Sequence, residues 1–142
     1  SAKQYEIYTD GSCIGNPGPG GWAAIFLIKN RKEPIEILKG CESATTNNRM
    51  EMTAVIEALN YIRKNKLESE DFTLHSDSNL IVQTVLKGWK RKANLDLWEK
   101  FDELNKITHV NYVWVKAHDK NYWNNRCDKI ANKEATEAAR NN

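Results

Sequence analysis

The stretch TDGSCIGNPGPGG, residues 9–21, carries the most specific pattern in this chain of 142 residues. The segment before it, residues 4–9 (QYEIYT), mixes aromatic and β-branched side chains, which is typical of a strand. Glycine and proline at residues 15–21 predict a turn, and residues 22–29 (WAAIFLIK) predict a second strand. Asp10 lies where the first strand meets the turn and has no basic neighbour in the sequence. The stretch therefore predicts two strands joined by a turn, with an unneutralised carboxylate beside it.

The rest of the chain predicts further strands and helices. Side-chain alternation or β-branched content indicates strands, and three-and-four spacing of apolar residues or helix-forming composition indicates helices. In chain order these are a strand at 34–41, a helix at 48–65, a strand at 72–76, helices at 79–89 and 95–107, a strand at 110–116 and a helix at 124–140. The order βββαβααβα predicts an α/β fold, with a mixed β-sheet flanked by α-helices, in a single domain over residues 1–142.

Acidic residues occur in unlike local contexts that the fold can bring together. They are Asp10, Glu51 at the end of TTNNRME, Asp77 in HSDS and Asp128 at the end of HDKNYWNNRCD. The predicted elements place two of them on strands and two near helix starts. Clustered carboxylates repel one another, and such a cluster is tolerable only around bound cations. Sites made of carboxylates alone suit hard ions such as Mg²⁺ or Mn²⁺, and paired ions of that kind cut phosphodiesters.

Charge and composition limit how the chain meets its partners. The formal net charge is only +2, so contact with nucleic acid requires a local basic patch rather than a bulk field. A cationic, aromatic cluster suited to phosphate contact is formed by Lys87, Trp89, Lys90, Arg91 and Lys92. No apolar run approaches membrane-span length, and the N-terminus has no signal-peptide pattern. The three cysteines are odd in number and lack metal-ligand spacing, which favours free thiols in a reducing, cytoplasmic setting. The lack of a long apolar run predicts no membrane contact, and nothing in the sequence suggests an obligate dimer, so we expect a monomer.

On these residues the sequence resembles ribonuclease H, specifically the bacterial type 1 enzymes. The matching segments are TDGSCIGNPGPGG (9–21), TTNNRME (45–51), SDS (76–78), NLDLW (94–98), and WVKAH (114–118) followed by NNRCD (124–128). They cover essentially the whole chain in register. The resemblance implies a ribonuclease H-like fold with a five-stranded mixed sheet and helices on both sides. It also implies endonucleolytic cleavage of the RNA strand of RNA–DNA hybrids by two divalent ions, leaving 5′-phosphate and 3′-hydroxyl ends.

The resemblance also implies roles for individual residues. Asp10, Glu51, Asp77 and Asp128 become the catalytic, metal-binding carboxylates for two Mg²⁺ ions, with Mn²⁺ as a substitute, and Asp10 bridges the two ions. His118 becomes the family's loop histidine, which moves a proton or helps release product; the sequence leaves both roles open. The predicted nucleic-acid contacts are Gly11, Ser12, Cys13, Asn16, Thr46, Asn47, Asn48, Asn79, Lys87, Trp89, Lys90, Arg91 and Lys92.

The chain departs from the family pattern at several positions. Only a short basic protrusion lies near 87–93, where related bacterial enzymes carry a longer one with an extra helix. We therefore expect weaker and more salt-sensitive binding of the hybrid than in those relatives. Asn79 replaces a glutamine, Asn125 stands where many relatives have glutamate, and the loop at 119–123 has no glycine. These changes affect a minor-groove contact, the negative potential near Asp128 and the mobility of the His118 loop.

Other functions compete with this interpretation. A binding module that holds nucleic acid without cutting it does not need four carboxylates, which impair phosphate binding. DNA-strand transferases and exonucleases of the same fold share clustered acids, but TDGSCIGNPGPGG and TTNNRME are not their contexts. A domain excised from a reverse transcriptase carries the same motifs, so the sequence separates it only weakly from an independent enzyme.

Overall fold

A computed structural model describes residues 2–142. The elements in chain order are β1 (Gln4–Cys13), β2 (Gly18–Ile28), β3 (Glu36–Thr45), α1 (Asn47–Lys64), β4 (Asp71–Ser76), α2 (Asn79–Lys87), α3 (Leu95–Thr108), β5 (Val110–Trp114) and α4 (Tyr122–Arg140). This is the order βββαβααβα that the sequence predicts. Within the described residues, no helix combines the length and apolarity that crossing a membrane requires.

The strands form one mixed, five-stranded sheet with the order β3-β2-β1-β4-β5. Strands β1, β2 and β3 pair antiparallel, whereas β1 with β4 and β4 with β5 pair parallel. Asp10 lies opposite Ala23 of β2, and Thr9 lies opposite Ser76 of β4. The carboxyl ends of β1 and β4 therefore meet at the same edge of the sheet, which confirms the predicted architecture.

Helices cover both faces of the sheet, because successive strand side chains point to opposite faces. Ile7 and Phe26 belong to a large buried cluster that includes residues of α1 and α3. Tyr8 and Ile25, their neighbours in sequence, belong to a smaller cluster that includes Cys127 and Ala131 of α4. The sheet thus separates two apolar layers, and β1 contributes to both.

Most element boundaries shift by a few residues from the prediction: β2 begins at Gly18 rather than at 22, β3 spans Glu36–Thr45 rather than 34–41, and β5 ends at Trp114 rather than at 116. Two other shifts have identifiable reasons. Strand β1 continues to Cys13 because the β1–β2 ladder extends to the pair Cys13–Gly20, a tertiary pairing that periodicity does not show. Asp10 consequently lies inside the strand rather than at its end. Helix α2 ends at Lys87, because Gly88 adopts a left-handed conformation with φ of 67° and its N–H bonds to the Thr84 carbonyl.

Candidate active site

Three acidic side chains converge near the carboxyl ends of the paired strands β1 and β4. Asp10 extends from β1, Glu51 from the second turn of α1, and Asp77 follows β4 directly. One carboxylate oxygen from each lies within 4.8 Å of the other two. We call these three residues the acidic cluster. The convergence agrees with the prediction that strand and helix positions would bring the carboxylates together.

Gly11 allows the helix and the strand to approach this closely. A Cβ atom at position 11 would overlap the backbone nitrogen of Glu51 and the carbonyl carbon of Met50. The Gly11 N–H also donates to Asp10 Oδ1 at 2.9 Å. Glycine is therefore the residue that lets α1 place Glu51 beside Asp10.

Burial and mutual repulsion dominate the electrostatics of the acidic cluster. Burial raises the pKa of Asp10 to about 8; the charges of Asp77 and Asp128 add to the rise, while a hydrogen bond from Glu51 opposes it. Burial also raises the pKa of Glu51 well above its ordinary value, with further contributions from Asp10 and Asp77. The cation-free site therefore favours protonated carboxyls.

The acidic cluster has the donor set of a divalent-cation site. Among residues 2–142, the Asp10 Oδ2 and Glu51 Oε1 atoms are buried and have no hydrogen-bond partner. Orphaned buried oxygens of this kind are costly unless a ligand satisfies them. Carboxylate oxygens are the ligands that Mg²⁺ and Mn²⁺ prefer, so the residues present fit a hard divalent ion.

Asp128 lies beside the acidic cluster rather than within the group of mutually close oxygens. It extends from the second turn of α4, and its charge contributes to the raised pKa of Asp10. Its Oδ2 accepts a hydrogen bond of 3.3 Å from Asn132 Nδ2. No motif in the sequence indicates Asn132, although its position four residues after Asp128 on a helix places both on one face.

Trp114 is a second residue whose role the sequence did not indicate. Its place in an alternating strand suggests a core position, yet Trp114 is 45% exposed. Strand β5 is an edge strand of the sheet, so this end of it lacks covering side chains. The Trp114 indole N–H donates to the Asp77 carbonyl at 3.2 Å, which fixes the backbone that carries an acidic-cluster residue.

His118 lies in the exposed loop between β5 and α4, where its backbone is left-handed with φ of 56°. Asn125 anchors this loop, because its Nδ2 donates to the Asp119 carbonyl at 2.7 Å. The Asn121 side chain caps α4 by accepting from the Asn124 N–H at 2.9 Å. The residue that departs from the family pattern at 125 thus ties the histidine loop to the helix that carries Asp128.

The predicted nucleic-acid contacts fall into separate groups. One group surrounds the start of α1: Asn16 Oδ1 accepts from the Asn47 N–H at 2.9 Å, and the Thr46 hydroxyl accepts from the Arg49 N–H at 3.2 Å. A second group lies at the end of β1, where Ser12 donates to Asn132 and the Cys13 thiol contacts the Gly18 and Thr45 carbonyls. Asn79 begins α2 and accepts from the side chain of Gln83 at 3.2 Å.

A groove of about 470 Å³ holds most of the remaining predicted contacts. Its lining residues come from α1, α2, α3 and the segment between α2 and α3: Asn48, Met52, Leu80, Ile81, Thr84, Trp89, Lys90, Arg91, Lys92, Ala93, Asn94 and Trp98. Arg91 is less available for phosphate contact than the sequence suggests. Its Nη1 lies 2.6 Å from Asp102 Oδ2, and its guanidinium lies 4.4 Å from the centre of the Trp98 ring.

A cluster of buried and half-buried carboxylates near the carboxyl ends of the inner strands β1 and β4, beside a groove with basic and aromatic side chains, defines a hydrolase of nucleic acid. The family model of RNase H matches residues 2–136. The chain belongs to the RNase H family, and its activity is that of a ribonuclease H.

Individual relatives agree with this assignment. Ribonuclease H of Campylobacter jejuni subsp. jejuni is 44% identical over 149 residues, which cover 99% of this chain and 97% of the relative. The N-terminal RNase H domain of a Mycobacterium tuberculosis protein has a TM-score of 0.86 at 26% identity and covers 99% of both chains. LC11-RNase H1, solved in complex with an RNA/DNA hybrid, has a TM-score of 0.79 at 27% identity over 95% of this chain and 99% of the other.

Proposed function

We propose that this chain cleaves the RNA strand of RNA–DNA hybrids internally, with divalent cations held by the acidic cluster and Asp128. The convergence of Asp10, Glu51 and Asp77 within 4.8 Å carries the proposal. The similarity to LC11-RNase H1, which was solved with an RNA/DNA hybrid, supports the substrate. The proposed products have 5′-phosphate and 3′-hydroxyl ends.

Mg²⁺ is the proposed ion, with Mn²⁺ as a substitute, because the donors are carboxylate oxygens. Two such ions, when bound, supply an activated water and stabilise negative charge on the phosphate and the departing oxygen. Asp10 is the proposed shared ligand, since Glu51, Asp77 and Asp128 all act on its pKa. Glu51 and Asp77 would hold the ion on the side of the attacking water, and Asp128 would hold the ion on the side of the leaving group. Because burial raises the pKa of Asp10 and of Glu51, cation binding would be accompanied by proton release from these carboxyls.

In this proposal, residues at the start of α1 contact the minor groove of the hybrid. An A-like RNA strand displays 2′-hydroxyls in a wide, shallow minor groove, and short amide side chains can bind them. Asn16, Asn47 and Asn48 lie at or near this helix start, and Asn48 also lines the groove of the basic segment. The groove residues Trp89, Lys90 and Lys92 contact the sugar-phosphate backbone in this proposal.

His118 moves a proton or assists product release, as the sequence predicts, and its exposed loop is compatible with either role. The cytoplasmic location and the monomeric state also stay predictions. The thiols of Cys13, Cys41 and Cys127 are free among the described residues, which supports a reducing compartment.

Cleavage of labelled RNA tests the proposal. End-labelled RNA is incubated as a single strand, an RNA duplex and an RNA–DNA hybrid, with Mg²⁺ or with chelator. We expect internal cuts only in the hybrid with Mg²⁺; retention of the hybrid without cutting would instead identify a binding module.

Replacing Asp10 with asparagine tests its role in the same assay. Asp10→Asn removes a proposed metal ligand at little change in volume, so we expect the rate to fall roughly 100-fold or more, since metal ions contribute several kcal/mol to catalysis. Asp71→Asn, at the exposed start of β4, is the matched control and keeps the wild-type rate. A wild-type rate in Asp10→Asn would show that Asp10 is not a ligand.

A further inference from the structure

A single amide side chain connects the fourth carboxylate to the end of β1. Asn132 lies one helical turn after Asp128 on α4, and its Nδ2 donates to Asp128 Oδ2 at 3.3 Å. On its other side, Asn132 Oδ1 accepts a hydrogen bond from the Ser12 hydroxyl. Asn132 therefore links α4 to the strand that also carries Asp10, two residues before Ser12.

The chemistry of the three groups fixes the direction of these hydrogen bonds. The amide nitrogen of Asn132 is a donor and faces the accepting Oδ2 of Asp128. The amide oxygen then faces Ser12, whose hydroxyl donates to it. Each group has a partner of the opposite kind, and the hydrogen bond from Asn132 restrains the Asp128 carboxylate beside the acidic cluster.

We propose that Asn132 is a positioning residue that orients Asp128 for cation binding and couples it to Ser12. This inference rests on the proposed function, in which Asp128 is a metal ligand and Ser12 contacts the hybrid. When the hybrid engages the Ser12 hydroxyl, it alters the hydrogen bond that holds Asn132 and, through it, the orientation of Asp128. Binding of the cation and binding of the hybrid are then linked, and the linkage is reciprocal.

Calorimetric titration of the substrate-free protein with MnCl₂ tests the proposal without any hydrolysis. Asn132→Ala removes both hydrogen bonds, but only one of them contacts the proposed ligand Asp128. We therefore expect Mn²⁺ affinity to fall about 3- to 10-fold, the range that one lost hydrogen bond produces. Ser12→Ala releases only one side of the amide and should lower affinity less, about 2- to 3-fold. Ser12→Thr keeps the hydroxyl and should restore Mn²⁺ affinity. Thr136→Ala is the control and leaves affinity unchanged, because the Thr136 hydroxyl bonds, among residues 2–142, only to the Asn132 carbonyl within α4.

The magnesium dependence of the cleavage rate gives a second, independent readout. In Asn132→Ala the half-saturating Mg²⁺ concentration should rise by the same factor as the Mn²⁺ dissociation constant, while the rate at saturating Mg²⁺ stays within about twofold. Asn132 is exposed, so the variant should keep the wild-type melting temperature. Wild-type Mn²⁺ affinity in Asn132→Ala, or an equal loss in Thr136→Ala, overturns the proposal. If the wild-type protein itself binds no Mn²⁺, the proposed function fails and this inference fails with it.

Discussion

Burial and neighbouring acidic charges raise the pKa of both the Asp10 and the Glu51 carboxyl, so a binding cation competes with protons for these groups. Burial is the largest cause of the raised pKa of each group, and the neighbouring acidic charges add to it. The local motifs identify both residues as ligand candidates. They do not reveal the raised pKa values, because these arise from the packing of α1 against β1, which desolvates Glu51 only in the folded chain. The same limit applies to Asn132, whose partners come from another strand.

The stability of the cation-free protein should therefore fall as the pH rises. The pKa of Asp10 is about 3.8 in the unfolded chain and about 8 when folded, so between these values the folded state binds more protons than the unfolded state. The contribution of the Asp10 proton to the free energy of unfolding is fully present below about pH 4 and is lost as the pH rises through about 8. Asp10→Asn removes this dependence. We expect its melting temperature in chelator to exceed that of the wild type by roughly 4 °C or more near pH 8.

Melting curves at about pH 5 and about pH 8 check this result, and the advantage of Asp10→Asn should be smaller at the lower pH. Saturating Mg²⁺ should reduce the advantage at both values, because the ion stabilises only the wild-type cluster. An advantage that is independent of pH would mean that the Asp10 proton does not contribute.

At the scale of elements, the close approach of α1 to β1 is the step that forms the site. Apolar spacing predicts α1 over nearly its whole length, and residues such as Val55, Leu59 and Ile62 are buried as that spacing indicates. Spacing along one helix does not show how near the helix comes to a strand. That distance depends on Gly11, where any side chain would meet the α1 backbone.

Gly11→Ala should disrupt the acidic cluster and destabilise the fold. The added Cβ overlaps the backbone of Glu51 and Met50, so α1 must shift, and overpacking of this kind costs about 1–3 kcal/mol. The shift separates Glu51 from Asp10, so Mn²⁺ affinity should fall as well. Gly88→Ala is the matched control: its Cβ meets open space, and only its left-handed backbone costs about 1 kcal/mol.

Calorimetric titration and denaturant unfolding on both variants separate these effects. Both variants lose stability, but only Gly11→Ala should lose Mn²⁺ affinity. Equal Mn²⁺ affinity in the two variants would show that the glycine at 11 does not set the position of Glu51.

At the scale of the whole molecule, the acidic cluster and the groove of the basic segment are both close to the start of α1. Glu51 belongs to the acidic cluster, and Asn48, three residues earlier, lines the groove. Composition predicts the basic segment and its tryptophan, but it does not show which basic side chains are without an ion-pair partner. Arg91 is paired with Asp102 and stacked on Trp98, contacts between segments that no local pattern shows. Lys87, Lys90 and Lys92 are exposed and, within residues 2–142, belong to no ion pair.

The salt dependence of hybrid binding should report these three lysines. The slope of log affinity against log salt is about −0.7 to −0.9 for each phosphate neutralised, so three free cations contribute about −2 to −3. Because Arg91 contacts Asp102 and Trp98, only the three lysines are counted, and the slope expected from this segment is moderate. Lys90→Ala combined with Lys92→Ala should make the slope shallower by about 1.5. Fluorescence anisotropy of a labelled RNA–DNA hybrid, measured in the Asp10→Asn background with chelator to prevent cleavage, gives the slope.

Matched variants test whether the groove lysines cause the slope of log affinity against log salt. Lys100→Ala, at an exposed position on α3 outside the groove lining, should leave the slope unchanged. Arg91→Ala should change the slope less than either groove lysine and should lower the melting temperature, since the guanidinium packs on buried Trp98. If the double lysine variant keeps the wild-type slope, the hybrid does not contact this groove through its phosphates. Electrostatic attraction would then have to come from another face of the molecule, because bulk charge is too small to supply it.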